Sequence, residues 1–137
     1  MSSYLNFHFN VKNPENRITT VVLSEEPNYI AHSFLQIPIY DNFNIEIGYK
    51  ISDDYIQQIG ENQYIVRINS TYNIKNKGTI SWFYAFLNDK PNFYYPLNVP
   101  NASNITSTTG EYFGKTGAVS LTAYEDGNRD VTIVFNF

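Results

Sequence analysis

Residues 4–11 read Tyr-Leu-Asn-Phe-His-Phe-Asn-Val, and apolar and polar side chains alternate through most of this stretch. Positions 5, 7, 9 and 11 are apolar, whereas positions 6, 8 and 10 are Asn, His and Asn. A period of two is typical of a β-strand that turns one face toward a core. The chain ends in the same pattern, with apolar side chains at positions 131, 133, 135 and 137. We therefore predict that the chain begins and ends in strands.

The period of two continues between these ends. Residues 63–72 alternate clearly, and the segment Asp126-Gly127 lies between two alternating stretches, which is typical of a hairpin. Residues 53–59 fit either a short helical turn or another strand. Clusters of Asn, Asp, Pro and Gly separate further predicted strands over 18–23, 34–40, 43–50, 78–87 and 116–124. The pattern indicates about eight strands.

A chain of this kind can pair its first strand with its last. Closure removes the exposed sheet edges that invite aggregation. We therefore predict an all-β fold, a single closed antiparallel β-barrel domain over residues 1–137, with a β-sandwich as the alternative. Residues 91–109 are rich in Pro, Ser, Thr and Asn. We interpret them as an extended crossing and a loop that covers one mouth of the barrel.

Composition limits the function. The 137 residues are 42% hydrophobic and 17% aromatic, which is enough apolar mass for one core. The net charge of −4 and the scattered Lys and Arg argue against a nucleic-acid partner. No run approaches the roughly 20 apolar residues of a membrane span. With no cysteine and no signal-peptide pattern, we expect a cytoplasmic protein. Two histidines among scattered carboxylates predict no metal site.

Asp41 is the candidate catalytic residue. It follows an apolar run over 37–40 at the end of a predicted strand. A carboxylate at a barrel mouth can have a raised pKa and act as a general acid or base. The alternative is a turn aspartate that binds its own backbone.

Candidate ligand-binding residues come from the aromatic strands. The segment 79–87 holds the single tryptophan and carries aromatic side chains on both faces. We predict that Tyr64, Trp82 and Tyr84 line a cavity for an apolar ligand. Core packing is the alternative for all three.

A glycine-rich segment near the C-terminus resembles a known signature. It reads Gly110-x-Tyr112-x-Gly114-x-x-Gly117 and precedes a strand, a hairpin and a final strand. Glycines at this density permit positive φ and a tight turn that seals a barrel bottom. The segment resembles the C-terminal signature of the allene oxide cyclase and dirigent superfamily. Residues 36–41 and 77–80 are similar to two upstream strand segments of that family.

The resemblance implies an eight-stranded barrel with an apolar cavity, commonly trimeric. Family members act without a cofactor on hydrophobic, polyunsaturated or phenolic ligands. Asp41 stands where the plant enzymes have asparagine, and the apolar face of the first strand lacks their glutamate. We expect a barrel that binds a hydrophobic small molecule, as a cofactor-free cyclase or isomerase, and that forms a homo-oligomer such as a trimer or a larger assembly. The alternatives are a non-catalytic structural or interaction protein and a carbohydrate-binding domain.

Overall fold

The computed structural model describes residues 3–136, which form nine β-strands and one short 3-10 helix. Phe137, predicted as the last apolar position of the final strand, lies outside the described residues. The ambiguous stretch 53–59 is part of a strand rather than a helix. The elements are β1 (Ser3–Asn10), β2 (Arg17–Ser24), β3 (Ile30–Tyr40), β4 (Glu46–Gly60), β5 (Gln63–Ile74), β6 (Gly78–Asn88), β7 (Pro100–Thr108), the 3-10 helix (Gly110–Tyr112), β8 (Gly117–Ala123) and β9 (Asn128–Phe135).

All neighbouring strands are antiparallel, in the order β2-β3-β4-β5-β6-β7-β8-β9-β1. A further pairing of β1 with β3, at His8 opposite Tyr40, closes this sheet on itself. The rings of these two residues also stack, with centroids 6.0 Å apart. Eight strands thus form a closed barrel and β2 is an additional strand, so the predicted barrel is confirmed and the sandwich alternative is not observed.

The strands β1 and β2 share one edge of β3. Tyr40, at the end of β3, pairs with β1, whereas the first half of β3 pairs with β2, from Gln36 opposite Arg17 to Ile30 opposite Ser24. On its other side, β1 pairs with β9 along its whole length, from Ser3 opposite Phe135 to Asn10 opposite Asn128. Within residues 3–136, β2 has β3 as its one paired neighbour. The outer edge of β2 therefore has no strand paired with it in this part of the chain.

The core follows the inward positions of the strands. At its centre, the indole Nε1 of Trp82 donates a hydrogen bond of 3.0 Å to the hydroxyl of Tyr72. The ring of Phe7 meets that of Tyr72 edge-on, with centroids 4.8 Å apart. These buried aromatic side chains fill the part of the barrel next to the glycine-rich segment. The fully buried aliphatic side chains around them include Ile37, Ile39, Ile68, Ile80, Leu121 and Ile133.

The glycine-rich segment closes this end of the barrel. Gly110 and Gly117 have φ of +66° and +154°. A Cβ on either residue would lie 2.3 or 2.0 Å from a backbone carbonyl oxygen, so both positions require glycine. Between them, Tyr112 is buried and stacks on Phe135 with ring centroids 5.7 Å apart.

Candidate functional site

A cavity of about 530 Å³ lies beside β2 and the end of β1. Its walls come from the end of β1, from β2, from the inner face of β4, from residues 93–97 and from the β8–β9 hairpin. This volume is within the range of small-molecule sites, which are mostly apolar with a few placed polar groups. The apolar lining consists chiefly of Phe9, Val11, Ile18, Leu35, Phe93, Tyr94, Tyr95, Leu97 and Tyr124.

The loop between β6 and β7 supplies the aromatic wall. The buried amide of Asn101 donates hydrogen bonds to the carbonyl of Pro96 at 3.2 Å and to that of Leu121 at 3.1 Å. These bonds fix the end of the loop against β8. The ring of Tyr95 points inward and stacks on Tyr84 and Phe86, with centroids 6.2 and 5.6 Å away. Within the segment 91–109, which was predicted to include a loop over a barrel mouth, residues 93–97 therefore line the cavity.

The deep face of the cavity is polar. Lys50, Ser52 and Asp54 alternate along β4 and all point into the barrel, where each side chain is only 3% exposed. Ser33 on β3 stands opposite Asp54, and Ser70 on β5 stands opposite Ser52. A barrel interior that would ordinarily be apolar therefore carries two charged groups and three hydroxyls along one band.

Lys50 is held without a close counter-ion. The ion pairs within 4.0 Å in residues 3–136 do not involve it. Its Nζ lies 4.8 Å from the ring centroid of Phe9 and 6.0 Å from that of Tyr95. Burial lowers the pKa of the Lys50 ammonium, the carboxylate of Asp54 opposes this, and Arg129 lowers it further. An aromatic face favours an ammonium by about 0.5–2 kcal/mol, whereas removing one from water costs several kcal/mol, so the aromatic contacts offset only part of the effect of burial.

Asp54 shows the complementary shift. Burial raises the pKa of its carboxyl, and the charge of Lys50 acts in the opposite direction. Its Oδ1 has no hydrogen-bond partner within the protein, and the same holds for the hydroxyls of Ser52, Ser70 and Tyr95. Buried polar atoms are normally paired. Of these groups, the carboxyl of Asp54 and the hydroxyl of Tyr95 belong to cavity-lining residues and are available to a polar group that enters, whereas Ser52 and Ser70 lie behind the lining.

The predicted catalytic residue Asp41 lies in the turn after β3. Its Oδ1 accepts hydrogen bonds from the backbone N–H groups of Phe43 at 2.8 Å and Ile45 at 3.0 Å. This is the bonding of a turn aspartate, the alternative stated for it. Asp41 is not among the residues that line the cavity.

The three predicted ligand-binding residues lie inside or beside the core. The hydroxyl of Tyr64 donates to the carboxylate of Glu26. Trp82 is bonded to Tyr72, and Tyr84 is half-buried beside the cavity residue Tyr95. Because Tyr64, Trp82 and Tyr84 do not line the cavity wall themselves, their ligand-binding roles stay predictions.

Sequence analysis missed Lys50, Asp54 and Arg129. On β4 the apolar side chains at 49, 51 and 55 suggest that the odd positions face the core. The structure shows the reverse, since Ile51 and Tyr55 are exposed and the polar even positions are buried. The available signal was the run of polar residues at 50, 52 and 54, which leads directly to the buried Ile56.

Two negative findings concern residues 3–136. In this part of the chain, no group of three or more His, Asp or Glu side chains is arranged to hold a metal ion. Over the same range, no helix reaches the length and hydrophobicity that a membrane crossing would take.

Comparison with solved structures shows where this fold occurs. The chain is similar to pyocyanin demethylase, with a TM-score of 0.65 and 12% identity over 99% of this chain and 100% of that one. It is also similar to AbnU, an exo-specific intermolecular Diels-Alderase, with a TM-score of 0.58 and 14% identity over 98% of this chain and 96% of that one. No protein-family model and no curated protein matches the sequence. The chain shares the small β-barrel fold of these two enzymes, and no match supports membership of the allene oxide cyclase and dirigent superfamily.

Proposed function

We propose that this protein binds a hydrophobic small molecule, with an aromatic or polyunsaturated body, in the barrel cavity and acts on it as a cyclase or isomerase. The observation that carries this proposal is an aromatic-walled cavity whose lining includes two buried polar groups without a partner in the protein, the Asp54 carboxyl and the Tyr95 hydroxyl. The apolar wall would hold the body of the ligand. The polar band would fix the orientation of its oxygen atoms.

Two effects would produce catalysis. A rigid cavity holds a flexible chain in one reactive conformation, which lowers the entropic part of the barrier. Asp54, with its raised pKa, can give a proton to the substrate or accept one from it. The guanidinium of Arg129 lies on the same cavity surface and would stabilise negative charge that develops on a substrate oxygen.

The structural neighbours support this choice of function class. They are named as a demethylase and a Diels-Alderase, so barrels of this shape carry enzymatic chemistry in other proteins. The resemblance of the glycine-rich segment to the allene oxide cyclase and dirigent superfamily points in the same direction and favours a reaction without a cofactor. These comparisons bear on the fold, and the cavity carries the argument for this chain.

The first experiment is native mass spectrometry of protein purified from its own source, followed by organic extraction. We expect about one apolar small molecule per chain, as for a cavity of this kind. Turnover of that molecule is then compared between Asp54→Asn and Asp41→Asn. Loss of turnover in the first variant alone supports the cavity as the active site. An empty protein, or loss in Asp41→Asn alone, contradicts it.

A second candidate function is a non-catalytic assembly block, and one observation favours it. The outward faces of adjacent strands expose Val21, Phe34, Ile51 and Tyr55, at 39–48% of their surface. Large exposed apolar patches mark interaction surfaces. We expect this face to support a homo-oligomer, such as a trimer. Light scattering after size exclusion tests this, because Ile51→Lys should shift an oligomer toward monomer, and a monomeric native protein would contradict it.

A further inference from the structure

A buried lysine in a ligand cavity can do more than hold a charge. Lys50 is 3% exposed, yet it lines the cavity wall. Lys75, by contrast, lies at the surface and forms an ion pair of 2.7 Å with Glu46. Lysines become nucleophilic when they are desolvated in an apolar pocket or placed beside another cation. Both conditions hold at Lys50, because Arg129 lines the same cavity.

Arg129 is a fixed cation rather than a mobile one. It is 4% exposed, and its Nη1 donates hydrogen bonds to the carbonyls of Tyr124 at 2.9 Å and Asn128 at 3.0 Å. A guanidinium keeps its proton under all ordinary conditions. These partners are neutral carbonyls, and Asp126 is the carboxylate whose charge acts on Arg129. Burial lowers the pKa of Lys50 and the charge of Arg129 adds to this, whereas the larger charge effect, that of Asp54, raises it.

We propose that Lys50 is a nucleophilic amine that captures the carbonyl carbon of an aldehyde or ketone in the cavity and forms an imine with it. This inference rests on the cavity-binding function proposed above and gives that function a substrate class. The substrate would be a carbonyl compound with an aromatic or conjugated apolar body. The hydroxyl of Tyr95, which lines the cavity and has no hydrogen-bond partner within the protein, would receive its oxygen.

Asp54 supplies the proton transfers that the step requires. The amine adds to the carbonyl carbon, and one of its protons passes to the oxygen, which gives a carbinolamine. Asp54 then protonates the hydroxyl, the C–O bond breaks and water leaves. The nitrogen lone pair forms the C=N bond of an iminium. Return of the remaining N–H proton to Asp54 gives the neutral imine, so one water is released and nothing is oxidised.

Geometry leaves room for this chemistry. Asp54 is two inward positions beyond Lys50 on β4, and no ion pair within 4.0 Å joins them. A carbonyl group can therefore stand between the amine and the acid. An iminium draws electrons from a neighbouring C=C more strongly than the parent carbonyl does. The iminium at Lys50, before it returns its proton to Asp54, would thus activate a conjugated chain for the cyclisation proposed above.

The test is reductive trapping on the full chain. The protein is incubated with cinnamaldehyde and sodium cyanoborohydride near neutral pH, and the labelled lysines are identified by peptide mass mapping. We expect Lys50 to be labelled several-fold faster than Lys75, because burial lowers the pKa of Lys50 and the bond to Glu46 raises the pKa of Lys75, so Lys50 has the larger free-amine fraction. Labelling of Lys50 no faster than Lys75 would overturn the proposal.

Variants and a non-reactive analogue separate the outcomes. Lys50→Arg keeps the positive charge but forms no imine, so it should lose the fast adduct, whereas Lys75→Arg should keep it. If Lys50→Arg does not fold, the comparison of two lysines within the native chain still decides. Cinnamyl alcohol, which has no carbonyl, is titrated by calorimetry. If it binds while Lys50 stays unlabelled, covalent capture is wrong and the cavity function stands. If it does not bind and Lys50 stays unlabelled, both proposals fail.

Discussion

Removal of both buried ionisable side chains of β4 should make the protein more stable. The change is Lys50→Met together with Asp54→Leu, which keeps the side chains near their present volumes. Each native residue is 3% exposed, yet no ion pair within 4.0 Å joins the two. Burial is the largest effect on both groups, and their mutual attraction offsets only part of it. Replacing buried charges of this kind by apolar residues typically stabilises a protein by about 1–4 kcal/mol.

The structure places the expected gain in the upper part of that range. Asp54 Oδ1 also lacks a hydrogen-bond partner, and a buried unsatisfied group costs about 1–3 kcal/mol. We therefore expect a gain of about 2–4 kcal/mol. At roughly 2.1 cal/mol/K per residue, the 137 residues unfold with an entropy of about 0.29 kcal/mol/K, so Tm should rise by roughly 7–14 °C.

Urea denaturation followed by Trp82 fluorescence, and thermal unfolding followed by circular dichroism, measure this change at neutral pH. Each single variant leaves one buried charge without its opposite and should be less stable than the double variant. Lys75→Met with Glu46→Leu is the surface control, where a solvent-exposed pair should contribute little to stability. A double variant less stable than the native chain would refute the reasoning, since the two charges would then hold the fold together.

Three further predictions concern a buried hydrogen bond, two glycines of the tight turn and the titration of Asp54. Tyr72→Phe leaves the buried indole N–H of Trp82 without an acceptor and should cost about 1–3 kcal/mol in urea denaturation, whereas an unchanged midpoint would contradict the bond. Gly117→Ala should prevent folding or reduce Tm severely, because its Cβ would meet a carbonyl oxygen at 2.0 Å. Gly114→Ala, with φ of +79° but nothing within 4 Å, should cost only about 1–2 kcal/mol, and equal losses in the two variants would count against the steric argument. The raised pKa of Asp54 contributes stability that is fully present below its ordinary value of 3.8 and is lost as pH rises through the folded value. The stability of the native chain relative to Asp54→Asn should therefore fall as pH rises above about 4, and a pH-independent difference would contradict this.

The barrel was predictable from the sequence because its closing strands alternate cleanly. The apolar positions 5 and 7 of β1 face apolar positions of β9 in register, as Leu5 opposite Ile133 and Phe7 opposite Val131. In such strands the alternation itself shows which side chains face the core and which face solvent. The broken edge formed by β1 and β2 was not predictable, because the two segments occupy one edge of β3 only through tertiary pairing.

The rule that assigns the apolar face of a strand to the core predicted the barrel correctly but gave the wrong face for β4, which carries the candidate site. Lys50 faces inward because its strand is held in register with Ile37 on β3 and Tyr72 on β5, whose inner side chains are buried. The apolar residues of the other parity, including Ile51, are consequently turned outward. A local pattern assigns the apolar face to the core, and only the neighbouring strands show the assignment to be wrong here.

The floor and the rim of the cavity come from different segments of the chain, and this affects which substitutions the barrel can accept. Lys50 and Asp54 belong to a strand that is paired on both sides, whereas much of the rim comes from β2, which is paired on one side, and from the loop before β7. The polar floor and the rim of the cavity are thus built from separate parts of the chain. Substitutions or length changes in the rim can alter the size and shape of the cavity without disturbing the strands that carry the floor. Libraries confined to β2 and residues 93–97 would therefore vary the cavity while Lys50 and Asp54 stay in place.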